Sequence, residues 1–201
     1  ILNELEKTLP PLGAELVESH SIAASAQQFS GVAARVRSDN PDVVYVASYG
    51  SQQLQIVKQL RDNGVKAQIA SYSAFSVPEL QEQEEAQGAL FTTQSIEWDS
   101  NDSVTKRFVD DYRAEHDKNP TSYIANYYNA VRVFALLAQA LEAQGKEITG
   151  ANLLPQRKAT ATFKLVGGEV SFQENGTLLA PIQVLEVDGS GSGKVVSVSS
   201  A

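Results

Sequence analysis

Short apolar runs alternate with segments carrying a single apolar stripe through the first hundred residues, and this alternation constrains the fold more than any other feature of the chain. Ala14 to Glu18, after Pro10, Pro11 and Gly13, reads as a short strand. Ser25 then opens a helix, with Gln28 three residues on as a capping box. Its apolar face is Phe29, Val32, Ala33 and Val36, the i, i+3, i+4, i+7 spacing of a helix with one buried side. Asn40-Pro41-Asp42 ends it. Val43 to Ala47 is an uninterrupted apolar run, as expected of a strand covered on both faces in a parallel sheet. A second helix is predicted from Ser51 to Asn63 with Leu54, Val57 and Leu60 inward, closed by Gly64 in the left-handed position and an apolar Val65. Gln68 to Ala70 and Ala89 to Thr93 are further strands, with a short helix from Pro78 to Glu85 between them. The rhythm predicts an α/β fold, a parallel sheet with helices on both faces.

After Trp98 the pattern changes. Asp102 to His116 and Ser122 to Gln144 read as two long helices. Val104, Phe108, Val109 and Tyr112 mark the predicted inner face of the first; Tyr127, Val131, Phe134, Ala138 and Leu141 mark that of the second. The tail reads as antiparallel: Glu169 to Phe172 joined to Ile182 to Leu185 through a turn at Glu174-Asn175-Gly176. A third strand, Val195 to Val198, follows the glycine–serine turn Asp188 to Gly193. Ile1 to Lys7 already has the character of mid-helix, with no cap and no initiating Met, so a truncated chain is expected.

Composition narrows the function. Hydrophobic residues make up 42% and charged residues 20%, the proportions of an ordinary globular chain. No apolar run approaches the roughly 20 residues of a membrane-spanning helix. The net charge of −8, with Lys and Arg scattered, disfavours nucleic acid as a partner. The chain has no cysteine, which removes disulfides, thiolate metal sites and thiol nucleophiles. Its two histidines, His20 and His116, stand far apart, and no His-Glu-x-x-His pattern supplies a zinc site. Glu82, Glu84 and Glu85 read as a solvated helix face. Gly189 to Lys194 lacks both the glycine spacing and the following helix of a phosphate loop. No Gly-x-Ser-x-Gly elbow follows a strand. Neither catalysis, nor a metal, nor a cofactor is expected.

In open α/β sheets ligands bind beyond the carboxyl ends of the strands. Here those ends carry Ser48-Tyr49-Gly50-Ser51, then Ser71-Tyr72-Ser73-Ala74-Phe75, then Thr93-Gln94-Ser95. They are hydroxyls, amides and aromatics with no charge. Gly50 and Ser51 also open a helix, whose free N–H groups and positive dipole end suit an anion. The candidate ligand residues are therefore Ser48, Tyr49, Ser71, Tyr72 and Ser73, although turns are rich in Ser and Gly for other reasons too.

The run from Phe29-Ser30-Gly31 through Asn40-Pro41-Asp42-Val43-Val44-Tyr45 resembles a characteristic stretch of the branched-chain amino-acid-binding proteins, the type I periplasmic binding proteins of ABC transporters. Further similarities follow in the family's order. They are Gln59 to Val65 before the third strand, Ala86 to Thr93 leading to the hinge, and the helix pair with Phe108-Val109-Asp110-Asp111-Tyr112, Pro120, Tyr123, Tyr128 and Ala130-Val131. The hairpin from Gly168 to Gly176 completes them. The resemblance implies two α/β lobes joined by three crossovers. Residues 1–95 and 181–201 would be the carboxy-terminal lobe without its opening strand; residues 96–180 would belong to an amino-terminal lobe that is mostly absent. It implies an extracytoplasmic receptor for a small molecule, working with the permease subunits of an ABC importer and without a cofactor. A ligand-sensing regulatory domain of the same fold is the alternative. Family members contact ligand at the positions of Tyr49, Ser73 and Tyr123. Amino-acid binders place an acidic residue at the position of Ser73, where it pairs with the ligand's ammonium. A buried ammonium without such a partner is costly. Tyr72, Phe75 and Trp98 make an aromatic or other carboxylate, or an amide, a competitor to an amino acid.

Overall fold

The computed structural model describes residues 1–191 and 193–199, so Ser192 of the glycine–serine turn lies outside the described residues. In chain order the helices are α1 (Leu2–Thr8), α2 (Ser30–Asp39), α3 (Gly50–Asp62), α4 (Pro78–Gln81), α5 (Ser103–His116), α6 (Ser122–Ala143) and α7 (Gly150–Ala159). The strands are β1 (Val43–Tyr45), β2 (Gln68–Ser71), β3 (Leu90–Gln94), β4 (Phe163–Leu165), β5 (Gly168–Phe172), β6 (Leu178–Leu179), β7 (Ile182–Glu186) and β8 (Lys194–Ser199). One sheet has the order β1-β2-β3-β7-β8, and a second has the order β4-β5-β6. The chain divides into two compact units, Ile1–Thr92 with Leu185–Lys194, and Thr93–Val184 with Val195–Ala201. No helix among the described residues is long and apolar enough to cross a membrane.

In the first unit β1, β2 and β3 are parallel, with Val43 opposite Gln68 and Ala70 opposite Leu90. Their core unites Phe29, Ala33 and Val36, just before and along α2, with Ile56, Val57 and Leu60 of α3. Val46, Ile69, Phe91 and Leu185 meet them from the strands. Each such side chain contributes about 1.5–3 kcal/mol when fully buried, enough to dock helices whose own ends are weakly capped. The end of α3 follows the expected pattern. Gly64 adopts φ 78, Val65 N–H donates to the Leu60 carbonyl at 3.0 Å, and Val65 is buried.

Two expected features differ. Ala14 to Glu18 forms no strand, and β1 is the edge of its sheet. Val43 of β1 is half exposed rather than covered on both faces. The helix predicted from Ser25 starts at Ser30 instead. The Phe29 N–H donates to Gln59 Oε1 at 2.6 Å and Gln59 Nε2 donates to the Gln27 carbonyl at 3.1 Å. A side chain of α3 thereby replaces the local capping box.

In the second unit Asp102 caps α5 by accepting from the N–H groups of Val104 and Thr105, and Thr121 Oγ1 accepts from the Ile124 N–H at the start of α6. α7 was not expected from the sequence, and it carries Pro155 in its interior. The predicted hairpin is corrected. β5 pairs with β6, Ser171 opposite Leu179 and Phe172 opposite Leu178, while Ile182–Glu186 joins the larger sheet. The tight turn at Asn175–Gly176, closed by Gln173 N–H to the Thr177 carbonyl at 2.8 Å, brings only the residues just after it opposite β5.

The expected inner face of α6 is also corrected. Tyr127, Val131 and Phe134 are 65%, 70% and 52% exposed. Leu141 of the expected face is buried, and Ala125, Asn129 and Leu137 are buried with it. Both stripes have helical spacing, and the β4–β5 hairpin selects one of them. Asn129 is the reason: its Nδ2 donates to the Val166 carbonyl at 3.0 Å and its Oδ1 accepts from the Val166 N–H at 2.9 Å. Thr105 Oγ1 accepts from the Gly167 N–H at 3.0 Å, and Arg132 Nε donates to the Lys164 carbonyl at 2.9 Å.

Asn129→Ala leaves both backbone groups of buried Val166 without partners, an expected loss of about 2–4 kcal/mol. Urea denaturation measures it. Asn129→Asp, which keeps the acceptor and loses the donor, should fall between the variant and the wild type.

Candidate functional site

The candidate residues of the first unit gather where β1 and β2 end. Val44 and Val46 point into the core, so alternation turns Tyr45 to the other face of the sheet. Ser48 and Tyr49 follow shortly after β1, and Tyr49 is the extended residue before α3. Gly50 adopts φ 60 with open space around the position of a side chain. Backbone conformation rather than room therefore demands glycine here. No side chain caps α3, leaving its first N–H groups and dipole available to an anion. Ser48 is buried and donates to Gln52 Oε1 at 2.9 Å.

β2 ends in Ser71, which is buried and donates to the Val46 carbonyl at 2.7 Å. Tyr72 Oη donates to the Ser48 carbonyl at 3.0 Å. The two strand ends are thus stitched together through Ser71 and Tyr72. Ser73, half-buried, opens a 3₁₀ turn over Ser73–Ser76. Tyr49 is 73% exposed. So Ser48, Tyr49, Ser71, Tyr72 and Ser73 form one local cluster, in which Ser48 and Ser71 hold the backbone while Tyr49 and Ser73 remain accessible.

The electrostatics of the cluster are those of phenols alone. Burial, and then the neighbouring Tyr49, push the Tyr72 phenol above its ordinary range. Burial, and then Tyr72, do the same to Tyr45. No charged side chain contributes to either shift. Tyr45 was missed by sequence reasoning because the apolar run around it reads as core.

The other candidates lie apart. Phe75 is fully buried in the core of the first unit, which removes it from a ligand surface: the 3₁₀ turn points its ring inward. Tyr123 and Trp98 belong to the second unit. Tyr123 lies in the first turn of α6, its ring edge-on to Tyr127 at 5.2 Å. Trp98 packs against the cluster of Ile96, Phe108 and Val109. The Ser122 hydroxyl, buried, hydrogen-bonds the Thr93 hydroxyl. His116 stacks against Tyr112 at 4.3 Å, and His20 sits in the segment that forms no strand. No group of three or more acidic or histidine side chains gathers as a metal site among the described residues.

Sequence reasoning also passed over Gln53, which is completely buried. A signal existed: position 53 falls in the stripe of Ile56, Val57 and Leu60, where an amide is out of place unless it is used.

A family model described as a periplasmic binding protein matches residues 1–193. Among solved structures, a leucine-binding protein LivK from Thermotoga maritima is 26% identical with a TM-score of 0.85, covering 99% of this chain and 56% of that one. The solute-binding protein of an ABC transporter from R. palustris, in complex with benzoate, is 15% identical with a TM-score of 0.81, covering 98% and 54%. The branched-chain amino-acid-binding protein LivJ from Streptococcus pneumoniae, in complex with isoleucine, is 21% identical with a TM-score of 0.73, covering 94% and 52%. The chain thus spans little more than half the length of these proteins. No curated protein matches it.

The raised phenols set an alkaline limit on stability. A phenol whose folded pKa lies above its unfolded value of about 10 stays neutral after the unfolded chain has ionised, so the unfolded state holds fewer protons. The contribution is intact below the unfolded pKa and is lost as pH rises through the folded one. Urea unfolding followed from about pH 9 to 11 should show this decline, and Tyr45→Phe and Tyr72→Phe should each flatten it.

Proposed function

Since this chain belongs to the periplasmic binding protein family, we propose that it is part of the extracytoplasmic solute-binding component of an ABC importer, taking a small carboxylate, amino-acid-like or aromatic, by lobe closure. In this reading residues 1–95 and 181–201 serve as the carboxy-terminal lobe, and residues 96–180 belong to the amino-terminal lobe. The membrane permease subunits are its partners. In this reading it acts as a binding protein, as the solved leucine-binding and isoleucine-bound proteins it resembles are described.

The observation that carries the ligand class is the uncharged phenol and hydroxyl surface at the ends of β1 and β2. The ring of Tyr49 is open to solvent, Ser73 offers a hydroxyl, and the uncapped start of α3 suits a carboxylate. Tyr123 is carried over as a further ligand residue on the family resemblance alone. With serine at position 73 and only phenols coupled to Tyr72, an ammonium group has no counter-charge in the cluster. A carboxylate on an apolar or aromatic body therefore fits better than an α-amino acid. The ligand of the R. palustris protein, benzoate, is of that chemistry; the isoleucine of LivJ is the contrasting case.

Thermal unfolding of the full-length protein with benzoate and with isoleucine tests this. A ligand that binds only the folded state, present at about 100 times its Kd, stabilises by about 2.7 kcal/mol. Benzoate should raise the midpoint more than isoleucine, and Tyr49→Ala or Tyr123→Ala should reduce the shift. A rise with isoleucine alone would overturn the ligand class, and an unchanged shift in both variants would overturn the site.

A further inference from the structure

The 3₁₀ turn that carries Ser73 is held almost entirely by side chains. Tyr72 O accepts from the Phe75 N–H at 3.0 Å, as a 3₁₀ turn requires. The next three carbonyls each take a side-chain donor. Ser76 Oγ donates to Ser73 O at 2.6 Å, Gln53 Nε2 to Ala74 O at 2.7 Å, and Gln81 Nε2 to Phe75 O at 2.6 Å. Gln53 comes from α3 and Gln81 from α4, and both are completely buried. On the near side Ser71 and Tyr72 tie the same segment to the end of β1.

The glutamines carry a cost that identifies what they are for. Gln53 Oε1 and Gln81 Oε1 are buried without a hydrogen-bond partner. Such an orphan acceptor is unfavourable where a methionine of similar shape would carry no penalty of its own. Only the donor half of each amide is used, and both donors serve consecutive carbonyls of one short turn. We propose that Gln53 and Gln81 are positioning residues, a two-amide clamp that fixes the turn from Tyr72 to Ser76 and so presents Tyr72 and Ser73 to the ligand in one conformation. The proposal rests on the reading of these residues as a ligand surface. A surface immobilised before binding loses less entropy when the ligand arrives, so the clamp acts on affinity without touching the ligand.

The test uses Gln53→Met and Gln81→Met, singly and together, in the full-length protein. Hydrogen exchange without ligand should quicken roughly tenfold or more in residues 72–76, while β2 and the core of α3 exchange at the wild-type rate. Benzoate, or isoleucine where benzoate does not bind, should lose affinity by a similar factor. Gln53→Glu adds a signature of donor chemistry. Its ionised carboxylate cannot donate, whereas its neutral acid can, so the turn should tighten again as pH falls; Gln53→Met should show no such recovery. Exchange in residues 72–76 that stays at the wild-type rate in the double variant overturns the proposal. So does quickening spread equally through β2 and α3, which would mean that the glutamines only stabilise the unit. Variants that release the turn yet bind either probe as tightly as the wild type overturn it as well. A wild-type protein that binds neither probe, with the turn selectively released in the variants, sinks the ligand reading and leaves the clamp standing.

Discussion

Buried backbone groups must find partners, and this chain meets that demand in its irregular segments with side-chain amides mounted on regular helices. On α3, Gln52 donates to the carbonyls of Ala23 and Ala24 at 2.9 and 3.3 Å, Gln53 to Ala74, and Gln59 accepts from Phe29 and donates to Gln27. One helix therefore pins the segment before α2 and the turn after β2. In the second unit Asn129 on α6 does the same for Val166 at the tip of the β4–β5 hairpin. Arg61 works likewise near the end of α3, donating to the carbonyls of Val65 and Ala67 at 2.8 and 2.9 Å; burial lowers its pKa. These bonds are worth little each in net terms, but at the buried residues Val65, Ala74 and Val166 their loss leaves a backbone group unpaired, which is costly.

The candidate surface inherits its character from that scaffold. The carbonyls of residues 73–75 each accept a side-chain donor, from Ser76, Gln53 and Gln81. What remains at the surface is the Ser73 hydroxyl, the Tyr49 ring and the uncapped first turn of α3. Such a set recognises shape, hydrogen-bond acceptors and negative charge better than positive charge.

Exposed apolar surface in the second unit has a different origin. Tyr127, Val131 and Phe134 lie on the same helix as buried Leu137 and Leu141, so α6 carries two apolar stripes. The hairpin takes the stripe with Asn129, because that side chain alone satisfies both backbone groups of Val166. Charge on α5 is spread over solvated pairs, such as Lys106 with Asp110 at 2.8 Å and Arg107 with Asp111 at 3.6 Å. Exposed pairs of this kind contribute little to stability and do not decide how the helix packs.

Much of the architecture was legible before any coordinates. The alternation of apolar runs and single-stripe segments announced the parallel strands β1, β2 and β3 with α3 between the first two, because period and stop signals are local properties. Asn40, Gly64 and Asp102 marked helix ends through their own backbone or side-chain chemistry, and the uncharged strand ends marked the candidate surface. Matters depending on a distant partner were not legible. α2 begins just after Phe29, whose N–H Gln59 meets, and Ala14 to Glu18 stays unpaired, with β1 at the edge of its sheet. β5 takes Leu178–Leu179 as its neighbour rather than Ile182 to Leu185. Gln53 went unread because its use is the carbonyl of Ala74, 21 residues away. Local periodicity specifies which elements form; the pairing of buried polar groups across the fold specifies where they begin, which face they bury and what they hold in place.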